Sequence, residues 1–311
     1  MSESILVVSH LRKAYGSTIA VDGICFSVDR GEIVGLLGPN GAGKTTTISM
    51  ICGLTVPTDG RVTVSGHDIA AEAIAAKSQI GLVPQDIALY EELSATANLS
   101  FWGSLQGLTG QSLRSRVAEL LEKVDLEGRA TEPVERFSGG MKRRLNLAVG
   151  LIAHPHLLLL DEPTVGIDPQ ARFAILDIVR EEARAGTAVL YTTHLLEEAE
   201  RLCDRILIID RGTIHAEGSP ESLVAMLGEG KVVTIRGPFE QGSIDPLLVT
   251  EDGMEIVSSQ AGRVLLSIEN GAIPALFELL SRDEVSVDDI SVREPDLESV
   301  FIKLTGRQLR D

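Results

Sequence analysis

Apolar and polar residues alternate in short runs over the first thirty residues of the chain, as in residues 5–11 and 23–29. Such alternation is typical of antiparallel strands that bury one face. Residues 32–37 form a nearly continuous apolar run, which predicts a strand buried on both faces of a parallel sheet. A glycine-rich turn and a helical pattern over residues 45–53 follow. Strand, glycine turn and helix in this order predict an α/β fold of the type that binds nucleotides.

A different pattern begins near residue 87 and runs to about residue 150. Apolar residues recur at helical spacing in residues 95–108 and 112–126, which predicts a helical subdomain inserted into the α/β core. Further core elements are predicted beyond it. They are strands at 157–160, 188–191 and 205–210 and a helix at 172–185.

The pattern changes again at two closely spaced glycines, Gly228 and Gly230. After this point short strands and two helices predict a small α+β domain behind a short hinge. We therefore expect two domains, one over residues 1–228 and one over residues 231–311. The elements predicted in the second domain are strands at 231–237, 254–259, 263–268 and 285–292 and helices at 272–281 and 296–304.

The composition limits the possible partners and compartments. The formal net charge is −17, so the chain lacks the basic surface that nucleic-acid binding needs. Its three cysteines are far apart in sequence and form no metal-binding or redox pair, which favours a reducing compartment. No apolar run reaches the roughly 18 residues that a membrane span requires, and no signal peptide is evident. These features predict a cytoplasmic protein that does not cross a membrane itself.

The glycine-rich turn at residues 38–45 reads GPNGAGKT, the complete pattern of a phosphate-binding loop. Its glycines let successive backbone N–H groups point at phosphate oxygens, and the following helix directs its positive end to the same place. We expect Lys44 to reach the β- and γ-phosphates of ATP and the hydroxyl of Thr45 to bind Mg²⁺. A chance glycine turn before a helix is the alternative, but the preceding buried strand favours a nucleotide site.

Two carboxylates, Asp161 and Glu162, follow four consecutive leucines. Many strands end in acidic residues, so this pair by itself is equally compatible with an ordinary strand end. Beside a phosphate-binding loop, however, the two side chains acquire different tasks. We expect Asp161 to hold the Mg²⁺ shell and Glu162 to orient the attacking water or accept its proton.

A serine–glycine turn, Ser138, Gly139 and Gly140, precedes another helical pattern. Free N–H groups, a hydroxyl and the helix dipole can bind an anion there, but the same residues can form a plain helix N-cap. The residues alone leave both roles open. The basic run at residues 142–144 is expected on the exposed surface of the first helical turn and not on nucleic acid.

Together these motifs resemble, in their order, the cassettes of ABC ATPases. The resemblance covers residues 4 to about 220 and includes Gln85 in VPQD, Asp168 in GIDP and His194 at the end of AVLYTTH. It implies an α/β cassette of the P-loop NTPase class, with a RecA-like core, N-terminal antiparallel strands and the inserted helical subdomain. The ATP-binding residues that it implies are Tyr15, Gly38, Asn40, Gly41, Gly43, Lys44, Thr45, Thr46, Ser138, Gly139, Gly140 and Asp168.

The resemblance also implies that two copies of the chain enclose two ATP molecules head to tail. Ser138 and Gly140 of one copy then seat the γ-phosphate that Lys44 of the other copy binds, and Asp168 crosses the interface. Phe137 and Met141 stand where these cassettes usually have Leu and Gln. The three phosphate-facing positions are unchanged, so we expect the two-copy arrangement to form.

Single side chains complete the implied site. Tyr15 matches the aromatic that stacks on adenine, Gln85 senses Mg²⁺ and the attacking water, and His194 contacts the γ-phosphate. Taken alone, each has a simpler interpretation, as a half-buried strand aromatic, a turn amide and a histidine at a strand end. Their order relative to the stronger motifs favours the site. The catalytic residues implied are Glu162, His194 and Gln85, and the Mg²⁺ ligands implied are Thr45, Gln85 and Asp161.

The C-terminal residues 293–306 and the loop at 164–172 are similar to those of the daunorubicin-resistance type of exporter ATPases. This similarity implies a multidrug export role with a separate membrane permease, which would hold the chain at the inner face of the membrane. We expect the aromatic residues Tyr90, Phe101 and Trp102 to offer the permease an apolar groove. Alternatively, residues 231–311 simply brace the dimer, and the sequence does not identify the cargo.

A non-transport cassette, such as a DNA-maintenance ATPase or a ribosome-acting factor, is the competing class. The former inserts a long coiled coil between its two nucleotide motifs, whereas no sustained heptads separate Lys44 from Asp161. The latter carries two cassettes in one chain, and this sequence has one phosphate-binding loop. The acidic balance also opposes both.

Overall fold

The computed structural model describes residues 3–228, 230–249, 253–269, 271–283, 285–307 and 309. Contacts between residues divide the chain into two compact units, residues 1–214 and 215–311. Each unit has a hydrophobic core of its own.

The strands of the first unit form a four-stranded and a six-stranded sheet. In chain order they are β1 (Ser4–Tyr15), β2 (Thr18–Asp29), β3 (Ile33–Leu37), β4 (Asp59–Val64), β5 (His67–Asp68), β6 (Ile80–Val83), β7 (Leu157–Asp161), β8 (Ala188–Thr193), β9 (Arg205–Asp210) and β10 (Thr213–Gly218), which crosses the unit boundary. The smaller sheet has the order β2-β1-β4-β5 and is antiparallel. The larger has the order β10-β9-β3-β8-β7-β6. In it, β9, β3, β8, β7 and β6 are parallel to one another.

Helices connect the strands of the first unit. They are α1 (Lys44–Ile51), α2 (Ala73–Lys77), α3 (Ala95–Leu105), α4 (Gly110–Lys123), α5 (Gly139–Leu151), α6 (Pro169–Arg184) and α7 (Leu196–Leu202). The side chains of Ser94, Ser138 and Asp168 each accept a hydrogen bond from the backbone N–H three residues later, at the starts of α3, α5 and α6. Such caps satisfy N–H groups that have no partner inside the helix. Helices α3, α4 and α5 pack against one another as the helical subdomain.

The core of the first unit lies between its two sheets. Leu6 and Val64 from the antiparallel sheet share one hydrophobic cluster with Leu36, Leu159 and Leu190 from the parallel sheet. All residues of β3, β7 and β8 are buried, as expected for parallel strands covered on both faces. Because these strands are parallel, their carboxyl ends and the loops that follow them meet at one edge of the sheet.

The second unit is a four-stranded antiparallel sheet with helices on both faces. Its elements are α8 (Pro220–Val224), β11 (Gly230–Arg236), α9 (Asp245–Leu248), β12 (Met254–Gln260), β13 (Arg263–Glu269), α10 (Ile273–Arg282), β14 (Asp289–Arg293) and α11 (Leu297–Thr305), and the strand order is β12-β13-β11-β14. Leucines of α9 and α10 pack on one face of the sheet. On the other face, α11 contacts β12, α8 and the turn at residues 225–227.

The division between the units differs from the boundary expected at residues 228–231. Helix α8 and the turn after it contact α11, and the hydroxyl of Ser267 donates to the carbonyl of Leu227 at 3.0 Å. Residues 215–228 therefore belong to the second unit. The strand predicted at 285–292 begins only at Asp289 and ends at Arg293, and Val285 and Val287 pack against the core before it starts.

No described helix is both long enough and apolar enough to span a membrane. The longest, α6, has 16 residues and carries several charged side chains.

Truncating a leucine of the parallel sheet should show how much this core contributes to stability. Leu159 is fully buried, so Leu159→Ala should lower the free energy of unfolding by about 2–5 kcal/mol through lost burial and a residual cavity. Leu54 is 69% exposed, so Leu54→Ala is the matched control. It should change the free energy of unfolding by no more than about 0.5 kcal/mol. Urea unfolding followed by circular dichroism measures both. Equal effects of the two changes would contradict the described core.

Candidate nucleotide site

The phosphate-binding loop joins β3 to α1, and two of its glycines lie where side chains do not fit. A Cβ atom on Gly38 would come within 2.2 Å of the carbonyl oxygen of Ile209. Gly43 has φ 109°, and a Cβ atom there would lie 2.5 Å from the carbonyl oxygen of Ala20. Since only glycine tolerates both the close approach and the positive φ, these residues determine the path of the loop.

Lys44 lies at the first position of α1, and its ammonium group is buried. Its Nζ atom donates to the carbonyl oxygens of Gly38 at 2.7 Å and Pro39 at 3.0 Å. The same Nζ lies 3.0 Å from Oε1 of Glu162, and both side chains are less than a tenth exposed. A buried charge is costly unless it is paired and hydrogen-bonded, and Lys44 meets both conditions.

Glu162 follows β7 and has the positive backbone angle φ 45°. Its N–H donates to the hydroxyl of Thr192 at 3.0 Å, and its Oε2 lies 3.0 Å from Nδ1 of His194. A non-glycine residue in this conformation is strained and persists only where its surroundings hold it. The carboxylate of Glu162 is therefore fixed between the Lys44 ammonium and the His194 ring.

Asp161 occupies the last position of β7 and is also buried. The hydroxyl of Thr192 donates to its Oδ1 at 2.8 Å. Burial raises the pKa of the Asp161 carboxyl above its usual range, while hydrogen bonds from Thr192 and Thr45 oppose that shift. The negative charge of Glu162 adds a smaller upward contribution to this pKa.

One cavity brings most of the predicted phosphate and Mg²⁺ residues together. It has a volume of about 370 Å³. Its lining consists of Ala20, Asn40, Gly41, Gly43, Lys44, Thr45, Thr46, Gln85 and Glu162. Tyr15 does not line it. The ring of Tyr15 is 52% exposed, and the Nζ of Lys13 lies 5.0 Å from its centroid.

A second cavity contains the serine–glycine turn and Asp168. It has a volume of about 320 Å³, and its lining includes Ser138, Gly140, Met141 and Asp168. Gly140 is closely packed, since a Cβ atom there would lie 2.7 Å from the Cβ of Ala171. The linings of the two cavities share no residue. One chain therefore holds the two halves of the predicted triphosphate site apart.

The serine–glycine turn also has a structural role. The Ser138 hydroxyl accepts a hydrogen bond from the N–H of Met141 at 3.3 Å, so the N-cap interpretation is confirmed. Phe137, which replaces the usual leucine, is buried in the core. Any large apolar residue can fill that position by packing. Met141 places a thioether, instead of an amide, on the wall of the second cavity.

The basic residues 142–144 are half-buried, and the expectation that they lie on an exposed surface is wrong. The Nζ of Lys142 donates to Glu91 at 2.6 Å, and the guanidinium of Arg144 donates to the carbonyl of Val124 at 2.7 Å. Each basic side chain is thus engaged by the helical subdomain or the loops beside it.

Arg143 joins two loops of the site, a role that sequence reasoning did not detect. Its guanidinium donates to the backbone carbonyl of Gln85 and, at 3.3 Å, to that of Val165. Burial lowers the pKa of Arg143, while the nearby Asp86 opposes this shift. The residue connects α5 to the loop of Gln85 and to the loop that leads to Asp168.

Glu198 on α7 is a second residue that sequence reasoning missed. It is 1% exposed, and its carboxylate accepts hydrogen bonds from the hydroxyls of Thr164, Tyr191 and Thr193. Burial, and then the charge of Glu198, raise the pKa of Tyr191 well above its ordinary value. A glutamate on a short amphipathic helix resembles a surface residue in sequence, so no sequence signal distinguishes it.

Among the described residues, no group of three or more histidine, cysteine, aspartate or glutamate side chains could hold a metal ion. The predicted Mg²⁺ ligands include one carboxylate, Asp161, together with a hydroxyl and an amide. A site of this type depends on further oxygens from a phosphate group.

This geometry defines an ATP-binding cassette, and comparison with known proteins supports that class. The sequence model of the ABC transporter family matches residues 21–165. The linearmycin resistance ATP-binding protein LnrL of Bacillus subtilis is 44% identical over 99% of this chain and all of that protein. The daunorubicin resistance ATP-binding protein DrrA3 of Streptomyces coeruleorubidus is 40% identical over 100% of this chain and 98% of its own.

Solved structures give the same result. An ATP-binding subunit of an ABC transporter matches with a TM-score of 0.66 and 34% identity, over 72% of this chain and 94% of its own. A dimeric post-hydrolysis state of the cassette MJ0796, bound to ADP and Pi, matches with a TM-score of 0.63 and 25% identity, over 69% of this chain and 98% of its own.

The chain belongs to the ABC transporter family, as an ATP-binding protein of the type that includes LnrL and DrrA3. It is an ATP-binding and ATP-hydrolysing subunit, and the predicted family and fold class are confirmed. Subunits of this family dimerise and work with membrane permease partners.

The raised pKa of Asp161 predicts a stabilising substitution. Because the folded pKa lies above the unfolded one, ionising this carboxyl costs the folded state stability, and the cost develops as pH rises through the folded pKa. Asp161→Asn stays neutral, so its free energy of unfolding near neutral pH should exceed that of the wild type. The expected gain is about 0.5–2 kcal/mol.

Unfolding measured with EDTA and without nucleotide, from about pH 4 to about pH 8, tests this expectation, because linkage makes the gain grow as pH rises from the ordinary value of the carboxyl through its raised pKa, and then level off. The control is Asp177→Asn, since that carboxyl lies on α6 and its side chain is 60% exposed. A wild type at least as stable as Asp161→Asn at the upper end of the pH range would refute the argument.

Proposed function

We propose that this chain drives the export of amphiphilic compounds through a separate membrane permease, by closing head to tail on ATP with a second copy of itself. The observation that supports this most directly is the separation of the two cavities. The phosphate loop lines one, and the serine–glycine turn lines the other. A second copy, turned head to tail, would bring both halves onto one triphosphate.

In this arrangement each copy contributes donors of a different kind. Lys44, the loop N–H groups and Thr46 would bind the phosphates from one side. Ser138, Gly139 and Gly140 would offer a hydroxyl and the free N–H groups at the start of α5 from the other side. Asp168 lines the same cavity as Ser138, which suits it to a position at the interface.

The residues proposed for Mg²⁺ fit a hard cation that prefers oxygen ligands. Thr45 and Gln85 line the phosphate cavity, and Asp161 is hydrogen-bonded by Thr192 at the neighbouring strand end. Mg²⁺ would supply charge neutralisation at the phosphates. The hydroxyl of Thr45, the amide of Gln85 and the carboxylate of Asp161 would hold it there, directly or through water.

Hydrolysis would use the carboxylate of Glu162 to orient a water molecule and accept its proton. His194, 3.0 Å from that carboxylate, would keep its orientation and contact the γ-phosphate. Lys44 now pairs with Glu162 but would turn its charge toward the phosphates. Glu162 and His194 already hold each other in place, and preorganised groups stabilise the transition state more effectively than mobile ones do.

Tyr15 is proposed as the adenine contact. Its ring lies at the end of β1 and is more than half exposed, so a flat base can stack on it. The positive charge of Lys13 over the same ring adds a cation near the nucleotide.

The permease would dock on the aromatic patch formed by Tyr90, Phe101 and Trp102. The ring centroids of Tyr90 and Phe101 are 5.0 Å apart, and those of Phe101 and Trp102 are 5.4 Å apart. Tyr90 and Phe101 remain 44% and 39% exposed. Exposed aromatic clusters commonly mark protein interfaces. Docking there would hold the chain at the cytoplasmic face of the membrane.

The names of the relatives support an export role and a drug-like cargo. Two of them are resistance proteins, against linearmycin and daunorubicin, and others export Nod factor. Residues 231–311 are proposed as an accessory domain that braces the dimer. The relatives align with the whole chain, including this domain.

The proposed two-copy site predicts that Glu162→Gln binds ATP, hydrolyses it at least about a hundredfold more slowly, and accumulates as a dimer. Gel filtration with Mg²⁺ and ATP measures the oligomeric state, and phosphate release measures turnover. Adding Ser138→Arg to the same variant should return it to a monomer, because the new side chain blocks the second half of the site. A monomeric Glu162→Gln, or a dimer that survives Ser138→Arg, would contradict the proposal.

The proposed docking surface predicts a specific loss of membrane retention. Phe101→Glu places a charge in the aromatic patch and should weaken binding to permease-containing membranes by about tenfold to a hundredfold. Ile74→Glu is the matched control, because Ile74 is 89% exposed and lies outside the patch on α2. Sedimentation with washed vesicles measures retention. Equal retention of both variants would remove the patch from the interface.

A further inference from the structure

Glu198 lies at the centre of a buried polar network between three segments of the first unit. Its Oε1 accepts from the hydroxyl of Thr164 at 2.5 Å. Its Oε2 accepts from the hydroxyls of Tyr191 at 3.0 Å and Thr193 at 2.8 Å. The Nε of Arg172, which has no hydrogen-bond partner, lies 3.5 Å from Oε1.

The chemistry of this network requires a carboxylate. Three hydroxyl donors converge on one side chain with a guanidinium beside them, and an ionised carboxylate supplies acceptors on both oxygens without any donor of its own. A glutamine would turn an N–H₂ group toward one set of donors. Burying an ionised carboxylate is costly, and that cost is offset only while the surrounding hydroxyls and the guanidinium keep their positions. The segments that carry these hydroxyls and the guanidinium are therefore held in fixed positions relative to Glu198.

Two partners of Glu198 lie close in sequence to residues of the nucleotide site. Thr193 precedes His194, and its hydroxyl also accepts a hydrogen bond from the N–H of Leu195 at 2.9 Å. This bond therefore connects the residues on either side of His194. Thr164 follows Glu162 by two residues.

Arg172 extends the same network toward Asp168. It lies on α6, and its N–H donates to the carbonyl of Asp168 at 3.0 Å. Because α6 starts at the loop that leads from Glu162 to Asp168, the carboxylate of Glu198 reaches both ends of that loop through Thr164 and Arg172.

We propose that Glu198 is a positioning residue for ATP hydrolysis, which holds His194 and the loop from Glu162 to Asp168 in register with each other. It acts through the three hydroxyls and Arg172 and does not touch the nucleotide. The proposal rests on the roles proposed above for Glu162 and His194. A purely structural role would affect stability, whereas a positioning role affects turnover more than binding.

Steady-state hydrolysis by the full chain tests this with Glu198→Gln and the control Glu197→Gln. The side chain of Glu197 lies on the same helix, is 70% exposed and approaches Arg172 only to 4.0 Å, outside the buried network. Glu198→Gln should lower kcat between about tenfold and about a hundredfold, because small misplacements of catalytic groups cost this much. The KM for ATP should stay within about twofold, since the phosphate loop is not involved. Glu197→Gln should match the wild type in both.

Substitutions of Thr193 separate hydrogen bonding from packing. Thr193→Val keeps the shape but removes the hydroxyl, and it should reproduce the fall in kcat. Thr193→Ser keeps the hydroxyl and should restore most of the activity. Combining Thr193→Val with Glu198→Gln should add little further loss, because both changes break the same contact.

Ring ¹³C–¹H spectra of labelled histidine give a readout that does not depend on turnover. The chain has six histidines, and the signal of His194 is assigned by its absence in His194→Ala. Glu198→Gln and Thr193→Val should shift or broaden this signal, and Glu197→Gln should leave it unchanged. The same spectra, recorded on folded protein, exclude simple unfolding as the cause.

The outcomes distinguish this proposal from the proposed function. If Glu162→Gln and His194→Ala lose turnover while Glu198→Gln keeps it and leaves the His194 signal unchanged, the positioning role is overturned and the function stands. A loss in Glu198→Gln that follows thermal stability, with equal effects on binding and kcat, also overturns it. If Glu162→Gln keeps full turnover, the proposed function fails first.

Discussion

The buried ion pair between Lys44 and Glu162 is the interaction on which the nucleotide site depends. The two residues follow β3 and β7, which are separated in the sheet by β8. His194 follows β8. The carboxylate of Glu162 lies between the ammonium group of Lys44 and the ring of His194. The geometry of the site is therefore a consequence of strand register, in which Leu37 pairs with Thr193 and Asp161 with Thr192. A slip of one strand would separate charges that are costly to leave unpaired.

Hydroxyl groups of β8 connect this pair to the surrounding elements. Thr192 binds Asp161 and the N–H of Glu162, while Thr193 binds Glu198 on α7. These two adjacent threonines point to opposite faces of the strand, as side chains in a strand alternate. One face therefore supports the carboxylates at the end of β7, and the other anchors the helix that follows His194. The two threonine hydroxyls thus hold the carboxylates at the end of β7 on one side of the sheet and helix α7 on the other.

The same residues serve local folding and the proposed ATP-driven closure. Ser138 and Asp168 cap α5 and α6 within one chain, and both line the second cavity. A cap holds the first N–H groups of a helix in a fixed direction, which is also what an anion needs. Arg143 then ties α5 to the loops of Gln85 and Val165. A movement of the helical subdomain would therefore also shift the loops that contain Gln85 and Val165.

The sequence by itself determined which residue types could form the site and where the main strands lie along the chain. A phosphate loop needs glycines and a lysine at fixed local spacing, so residues 38–45 could be recognised without a structure, as could Asp161 and Glu162 after four leucines. Strands β3, β7, β8 and β9 were predicted because burial on both faces leaves a continuous apolar run. Short elements such as β6 and α7 were not predicted, since four to seven residues carry too little periodicity.

Only the tertiary structure decided which distant side chains meet. The hydrogen bond from Thr164 to Glu198 and the two carbonyl contacts of Arg143 join residues far apart in sequence. The division of the site residues between two cavities also depends on the tertiary structure. Tyr15 illustrates the same limit, because its residue type suggested a nucleotide contact while its position outside the phosphate cavity depends on the sheet. The physical reason is that burial and hydrogen bonding of a polar group are set by strand order and register, which local patterns of residues do not encode.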